Sequence, residues 1–102
     1  MTYQQRNQIL QSHEFIAQCR IALCDWLEYW TVNGLSPIED EDLRTKTDIF
    51  IRNCLANTET YVFRIATIVI GTDIIENAEE ITDSIVKSAV DTVLSHALDF
   101  LI

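Results

Sequence analysis

With 102 residues, of which 48% are hydrophobic and 23% charged, the chain has the size of one folded domain (1–102) and is too hydrophobic to be disordered. It contains only two glycines and one proline, which argues against an all-β protein, since such folds need turn residues every ~8–12 positions. The net charge of −9 argues against binding to nucleic acid or to an anionic membrane, and it permits a basic protein partner, a divalent cation or DNA mimicry. We therefore predict an all-α protein, a compact bundle of four to five helices.

Capping residues mark the first two helices. Thr2 is a candidate N-cap for a helix over about 2–10, and Ser12 for one over about 13–32. The Asn-Gly pair at 33–34 is a typical stop for the second helix. The apolar residues of the second helix fall within one arc of its surface: Phe15, Ile16, Cys19, Ala22, Leu23, Trp26, Leu27 and Trp30.

A third helix is predicted over about 37–56, and its start is ambiguous. Ser36 and Glu39 have the spacing of a capping box, with Pro37 at the first helical position, where its missing N–H is harmless. A start at Asp40 is also possible. The predicted buried stripe of this helix consists of Leu43, Thr47, Phe50, Ile51, Cys54 and Leu55.

The most hydrophobic run, YVFRIATIVIG at 61–71, could be a strand, a membrane anchor or a buried helix. Its β-branched residues favour a strand, but no second strand pattern exists to pair with it. Arg64 interrupts the run, which is shorter than the ~20 apolar residues of a membrane span. Asn57 and Gly71 fit the two ends of a helix over about 58–70. Such a helix must lie at the centre of the bundle or be covered in part by a neighbouring subunit.

The acidic segment from Asp73 to Asp83 reads as a connection with weak local preference. Thr82 then fits the N-cap of a last helix over about 82–101, and Ile81 could pack on Val86 as a hydrophobic staple. The apolar face predicted for this helix contains Ile85, Val86, Ala89, Val90, Val93, Leu94, Ala97, Leu98 and Leu101.

Residue types that carry chemistry are few and form no recognisable site. No CxxC, HxxxH or ExxH spacing for a metal occurs. The acids at 39–42 lack the alternation and the glycine of a calcium loop. We therefore predict no catalytic residue, no cofactor and no metal site, and the rival hypothesis of a small enzyme has no residues to name. The histidines and cysteines that could act as metal ligands are His13, His96, Cys19, Cys24 and Cys54.

The cysteines predict a reducing environment. Their number is odd, so they cannot all pair within one chain. The polar start MTYQQRNQIL lacks the apolar region of a secretory signal. We therefore expect reduced thiols in a cytoplasm.

The second helix carries the candidate contact surface. Trp26 and Trp30 belong to its apolar arc and are predicted to be core. Ile21, Tyr29 and Val32 project toward its polar side instead. Large apolar groups on a polar face are typical of a surface that binds a partner, so we predict an interface at these three residues.

Three segments, TYQQRNQILQSHEFIAQCRIAL, LANTETYVFRIATIVIG and ITDSIVKSAVDTVLSHAL, together resemble small helical virion proteins of tailed bacteriophages. That group combines an R…L…S/D-x-x-F…R…AL start with an L-x-x-x-x-x-Y joint and an I-T-D-x-x-I…AV end. Thr58 stands where the group commonly has a proline. The matching residues are Arg6, Leu10, Ser12, Phe15, Arg20, Ala22, Leu23, Leu55, Tyr61, Ile81, Thr82, Asp83, Ile85, Ala89 and Val90.

The resemblance implies a structural protein of the particle, without catalysis. We expect a homo-oligomeric ring at the portal or head–tail neck, or a capsid-associated protein. Its partners would be further copies of itself and other virion proteins such as portal, tail or capsid, with no specific nucleic acid and no membrane. It would be located in the virion after assembly in the bacterial cytoplasm. The alternative hypothesis is a small acidic phage-encoded inhibitor that mimics DNA or blocks a host defence enzyme.

Overall fold

The computed structural model describes residues 1–96 of the chain. These residues fold into six α-helices and contain no strand. The predicted all-α bundle is confirmed, with one short helix more than expected. The helices are α1 (Tyr3–Leu10), α2 (His13–Asn33), α3 (Glu41–Ala56), α4 (Thr58–Val69), α5 (Asp73–Glu76) and α6 (Asp83–Ser95).

Three of the predicted caps start their helices as expected. The Thr2 hydroxyl accepts a bond from the Gln5 N–H (3.2 Å), and the Gln5 side chain accepts one from the Thr2 N–H (2.9 Å), which completes a capping box on α1. Ser12 and Thr82 each accept a bond from the backbone N–H three residues further on. These side chains satisfy donors that have no partner within the helix.

The predicted start of the third helix at Ser36 is wrong, and the alternative start at Asp40 is correct. An Asp40 carboxylate oxygen accepts the Leu43 N–H at 3.0 Å and caps α3, which begins at Glu41. The preceding residues form a turn that is closed by a bond from the Ile38 N–H to the Leu35 carbonyl (3.0 Å). The Arg44 guanidinium binds the Ile38 carbonyl at 3.0 and 2.6 Å, so the segment before Asp40 is held outside the helix.

The predicted buried stripe of α3 is too wide by two residues. Thr47, Phe50, Ile51 and Cys54 are buried, but Leu43 and Leu55 are exposed. Successive residues turn by about 100° around a helix, so Leu55 points away from the face that carries Cys54. Helix α3 packs mainly on α4. Because it has this one main neighbour, only a narrow stripe of its surface is covered.

Helix α4, which contains the most hydrophobic run, lies at the centre of the bundle and contacts α2, α3 and α6. Its buried residues are Val62, Ile65, Ala66 and Val69. The helices of this chain therefore cover most of its surface, and Phe63 is its one large apolar side chain that is mainly exposed, at 57%.

The two predicted ends of α4 are in the expected places but work differently. Asn57 occupies the N-cap position, yet its side chain makes no capping hydrogen bond. Gly71 follows the last residues of the helix and does not have a positive φ. It therefore does not adopt the left-handed conformation for which glycine is favoured at a helix end. The stop comes from Thr72, whose hydroxyl donates to the Val69 carbonyl (2.7 Å) and accepts from the Ile75 N–H (3.5 Å) to cap α5.

The segment predicted as a featureless connection contains the one-turn helix α5. Ile75 is fully buried in the core, and Glu76 pairs with Arg6 of α1 at 2.8 Å. The amino group of Met1 lies 3.6 Å from the same carboxylate. A turn this short is not stable alone, so its burial and its ion pair with α1 explain why it forms.

Helix α6 closes the bundle against α2 and α4. Its inward residues are Val86, Ala89, Val90, Val93 and Leu94, as the apolar pattern predicted. The predicted continuation to 101, with Ala97, Leu98 and Leu101, lies outside the described residues.

Candidate interaction surfaces

The three residues of the predicted interface are all exposed on α2. The exposed fractions are 63% for Ile21, 57% for Tyr29 and 74% for Val32. Ile21 and Val32 are separated by about three helical turns and lie almost on one line. Tyr29 is rotated by about 80° from that line, and its ring packs edge-on against Trp30 at 5.3 Å. The structure therefore gives an apolar line along α2, with Tyr29 at its side.

Two acids interrupt this line. Asp25 and Glu28 lie between Ile21 and Val32 on the same stripe of the helix and are exposed. The nearest cation of the helix, Arg20, is already engaged: its guanidinium donates to both carboxylate oxygens of Glu59 on α4, at 2.9 and 2.7 Å. This bidentate bond lowers the pKa of Glu59 and raises that of Arg20. A partner that covers the line must therefore accommodate two acids.

A second surface lies on the opposite side of α2, where three helices and a loop enclose an apolar groove of about 310 Å³. We call it the tryptophan groove. Trp26 and Trp30 are the only tryptophans of the chain. The lining consists of Trp26 and Trp30 from α2, Ile38 from the loop, Leu43 and Thr47 from α3, and Leu94 and Ser95 from α6.

Edge-to-face aromatic contacts hold the tryptophan rings in place. The Trp26 ring lies 6.2 Å from Trp30 and 5.7 Å from the buried Phe50 of α3. Phe50 continues the row to Tyr61 of α4 at 5.8 Å, where the Arg64 guanidinium lies 5.0 Å from the ring centre. Such contacts fix ring orientation beyond simple burial. The groove is thus preformed by the core behind it.

The groove contains one polar atom that lacks a partner. The Thr47 hydroxyl donates to the Leu43 carbonyl at 2.7 Å and is satisfied. Trp30 Nε1 is screened from solvent and has no hydrogen-bond partner among the described residues. A buried donor without an acceptor is unfavourable, so the packing of the Trp30 ring carries the cost of one unmade hydrogen bond.

The rim of the groove is acidic. The chain between the lining residues Ile38 and Leu43 consists of four consecutive acids at 39–42, all exposed. One of them, Asp42, pairs with Lys46 at 3.1 Å. Arg44 is held by the Ile38 carbonyl. Four acids against these two cations leave a net negative rim.

The candidate metal ligands do not meet. Among residues 1–96, no group of three or more His, Cys, Asp or Glu side chains could hold a metal ion. Cys19 and Cys54 are buried, and burial raises the pKa of each thiol to about 12. Cys24 is exposed, because the five residues that separate it from Cys19 turn it to a different side of α2.

No helix within the described part of the chain is both long and apolar enough to cross a membrane. No family model matches the chain, and no curated protein or solved structure does so either. Its function is therefore inferred from its own residues.

The sequence predicts the exposed apolar residues of α2 but not the tryptophan groove. The apolar arc of α2 predicts Trp26 and Trp30 in the core, whereas both are half-buried and pack against the core from the groove side. The signal was the pair of tryptophans one turn apart at the end of α2, directly before an irregular loop. Their exposure depends on how far that loop stands off the helix, which no local pattern encodes.

Proposed function

We propose that this protein is a non-enzymatic structural component of a tailed-phage virion that assembles as a homo-oligomeric ring at the portal or head–tail neck. The observation that carries the proposal is the exposure of Ile21, Tyr29 and Val32 on the longest helix of a strongly acidic chain. The resemblance of three segments to small virion proteins gives the biological setting.

A ring needs a head-to-tail contact, in which two different surfaces of each subunit meet. The apolar line of α2 is one such surface, because it offers burial without changing the fold of the subunit. The acids around it and the net charge of −9 keep the free subunit soluble. In the ring, exposed acids would repel rather than hold passing DNA.

The interface is tested with a triple variant, Ile21→Asp, Tyr29→Asp and Val32→Asp. We expect it to lose assembly, measured as particle mass in solution, and to keep its helicity, measured by circular dichroism. The reason is that apolar contact is replaced by charge while the buried face of α2 is untouched.

The matched control places the same three charges elsewhere, as Ile49→Asp, Leu55→Asp and Phe63→Asp on exposed positions of α3 and α4. We expect it to assemble normally, because these positions lie outside the α2 surface. Equal loss in both variants would mean that loss of assembly is not specific to the α2 surface. Normal assembly of the α2 variant would remove these three residues from the interface, and absence of the protein from purified virions, by mass spectrometry, would remove the proposed function.

A second candidate is an acidic inhibitor of a host enzyme. It is supported by the surplus of acids: only Asp42, Asp48, Glu59 and Glu76 take part in ion pairs among the described residues. However, many of the remaining acids cluster at helix starts, such as 39–41, instead of following one outer surface as in a DNA mimic. A monomer that is absent from virions and binds a purified nucleic-acid enzyme of the host would favour this candidate.

A further inference from the structure

We infer that the tryptophan groove is a docking site for a basic amphipathic helix of a partner protein. The inference does not rest on the proposed ring, because the groove lies on the other side of α2. Trp30 follows Ile21 by nine residues, which is half a turn around the helix in addition to two full turns.

The lining of the groove favours a peptide segment over a small polar ligand. Sites for small ligands carry several convergent polar groups that orient the molecule. The lining is mainly apolar: the hydroxyls of Thr47 and Ser95 already donate to backbone carbonyls of their own helices, and Trp30 Nε1 is shielded from solvent. Apolar anchors from one face of a helix fill such a surface.

The groove is rigid enough to select its partner. Trp26 is held edge-on between Trp30 and Phe50. The loop wall is fixed through the two bonds from Arg44 to the Ile38 carbonyl. A preformed surface loses little conformational entropy on binding, so a partner can bind without rearranging these residues.

The negative charge of the rim favours a partner with positive charge. Glu39 and Glu41 have no ion-pair partner among the described residues, and both lie in the segment that joins the lining residues Ile38 and Leu43. Lys and Arg beside the apolar anchors would complement them, as in other pairs of oppositely charged surfaces. A second copy of this acidic chain would instead bring its own negative charge to the rim.

Fluorescence provides a direct test. Both tryptophans of the chain line the groove, so all of the tryptophan emission comes from this site. The probe is a synthetic helical peptide with leucine at i, i+3, i+4 and i+7 and lysine elsewhere. We expect saturable binding to the full chain with a blue shift of the emission. Two comparison peptides serve as controls, one with glutamate for lysine and one with alanine for leucine. Each should bind at least about tenfold more weakly.

Leu43→Glu separates apolar docking from simple charge attraction. The substitution removes an apolar wall while adding an acid to the rim, and an acid in the first turn of α3 suits the helix dipole. Docking in the groove predicts about tenfold weaker binding of the lysine peptide. The control Leu55→Glu adds the same charge to an exposed position of α3 outside the groove and should bind like the unaltered chain.

Several results would overturn the inference. Tighter binding to Leu43→Glu, or equal affinity for the lysine and glutamate peptides, would show that apolar docking with charge selection does not occur. Emission that changes on dilution of the protein alone would assign the groove to a second copy. Emission that is already typical of fully shielded indole and does not respond to the peptide would show that another part of the chain fills the groove.

Discussion

At the scale of single residues, burial separates groups that look equivalent in the sequence. Cys19 and Cys54 are fully buried, while Cys24 is exposed. The thiolate is the reactive form of cysteine, and the raised pKa of about 12 leaves little of it at the two buried positions. Helical spacing could place Cys19 and Cys24 on different faces, but it could not show how completely Cys54 is shielded.

Thiol labelling at pH 8 tests this difference. We expect one thiol per native chain to react rapidly with a disulfide reagent, and three after unfolding in guanidinium. Cys24→Ser should remove the rapid reaction and leave two thiols that react only on unfolding. Rapid reaction of more than one thiol in the native protein would contradict the burial of Cys19 and Cys54.

At the scale of elements, local signals locate helices better than they locate helix ends. The caps at Thr2, Ser12 and Thr82 could be predicted because side chain and backbone meet within three residues. The start of α3 could not, since Ser36 and Asp40 both fit an N-cap. The choice depends on Arg44, which holds the Ile38 carbonyl outside the helix.

Two alanine variants measure which cap is used. Asp40→Ala should lower the free energy of unfolding by about 1 kcal/mol, because the Leu43 N–H loses its acceptor. Ser36→Ala should change it by less than about 0.5 kcal/mol, as is usual for a surface site without such a role. Urea unfolding checks both values. A larger effect at Ser36 than at Asp40 would contradict the observed start of α3.

At the scale of the whole molecule, the question is what covers α4. Three helices of the same chain surround it, and Ile65 is fully buried between them. Because the protein interior is close-packed, loss of a buried side chain leaves a cavity as well as lost transfer free energy. The exposed Phe63 on the same helix has no such surroundings.

Truncating each residue compares the two sides of α4. Ile65→Ala should cost about 2–5 kcal/mol in the free energy of unfolding, and Phe63→Ala less than about 0.5 kcal/mol. Both are measured by urea unfolding at low protein concentration. A cost for Phe63→Ala that matches that of Ile65→Ala would contradict the exposure of Phe63.

The sequence by itself determined the all-α class, the order of the long helices and the inward faces of α2 and α6, because helical periodicity and caps act within a few residues. It also determined that Ile21, Tyr29 and Val32 leave the apolar arc. Only the tertiary structure decided that α5 forms, that Leu43 and Leu55 are exposed, and that Trp26 and Trp30 line a groove. Each of these depends on which distant segment packs beside the residue. The local sequence pattern does not determine this packing between helices.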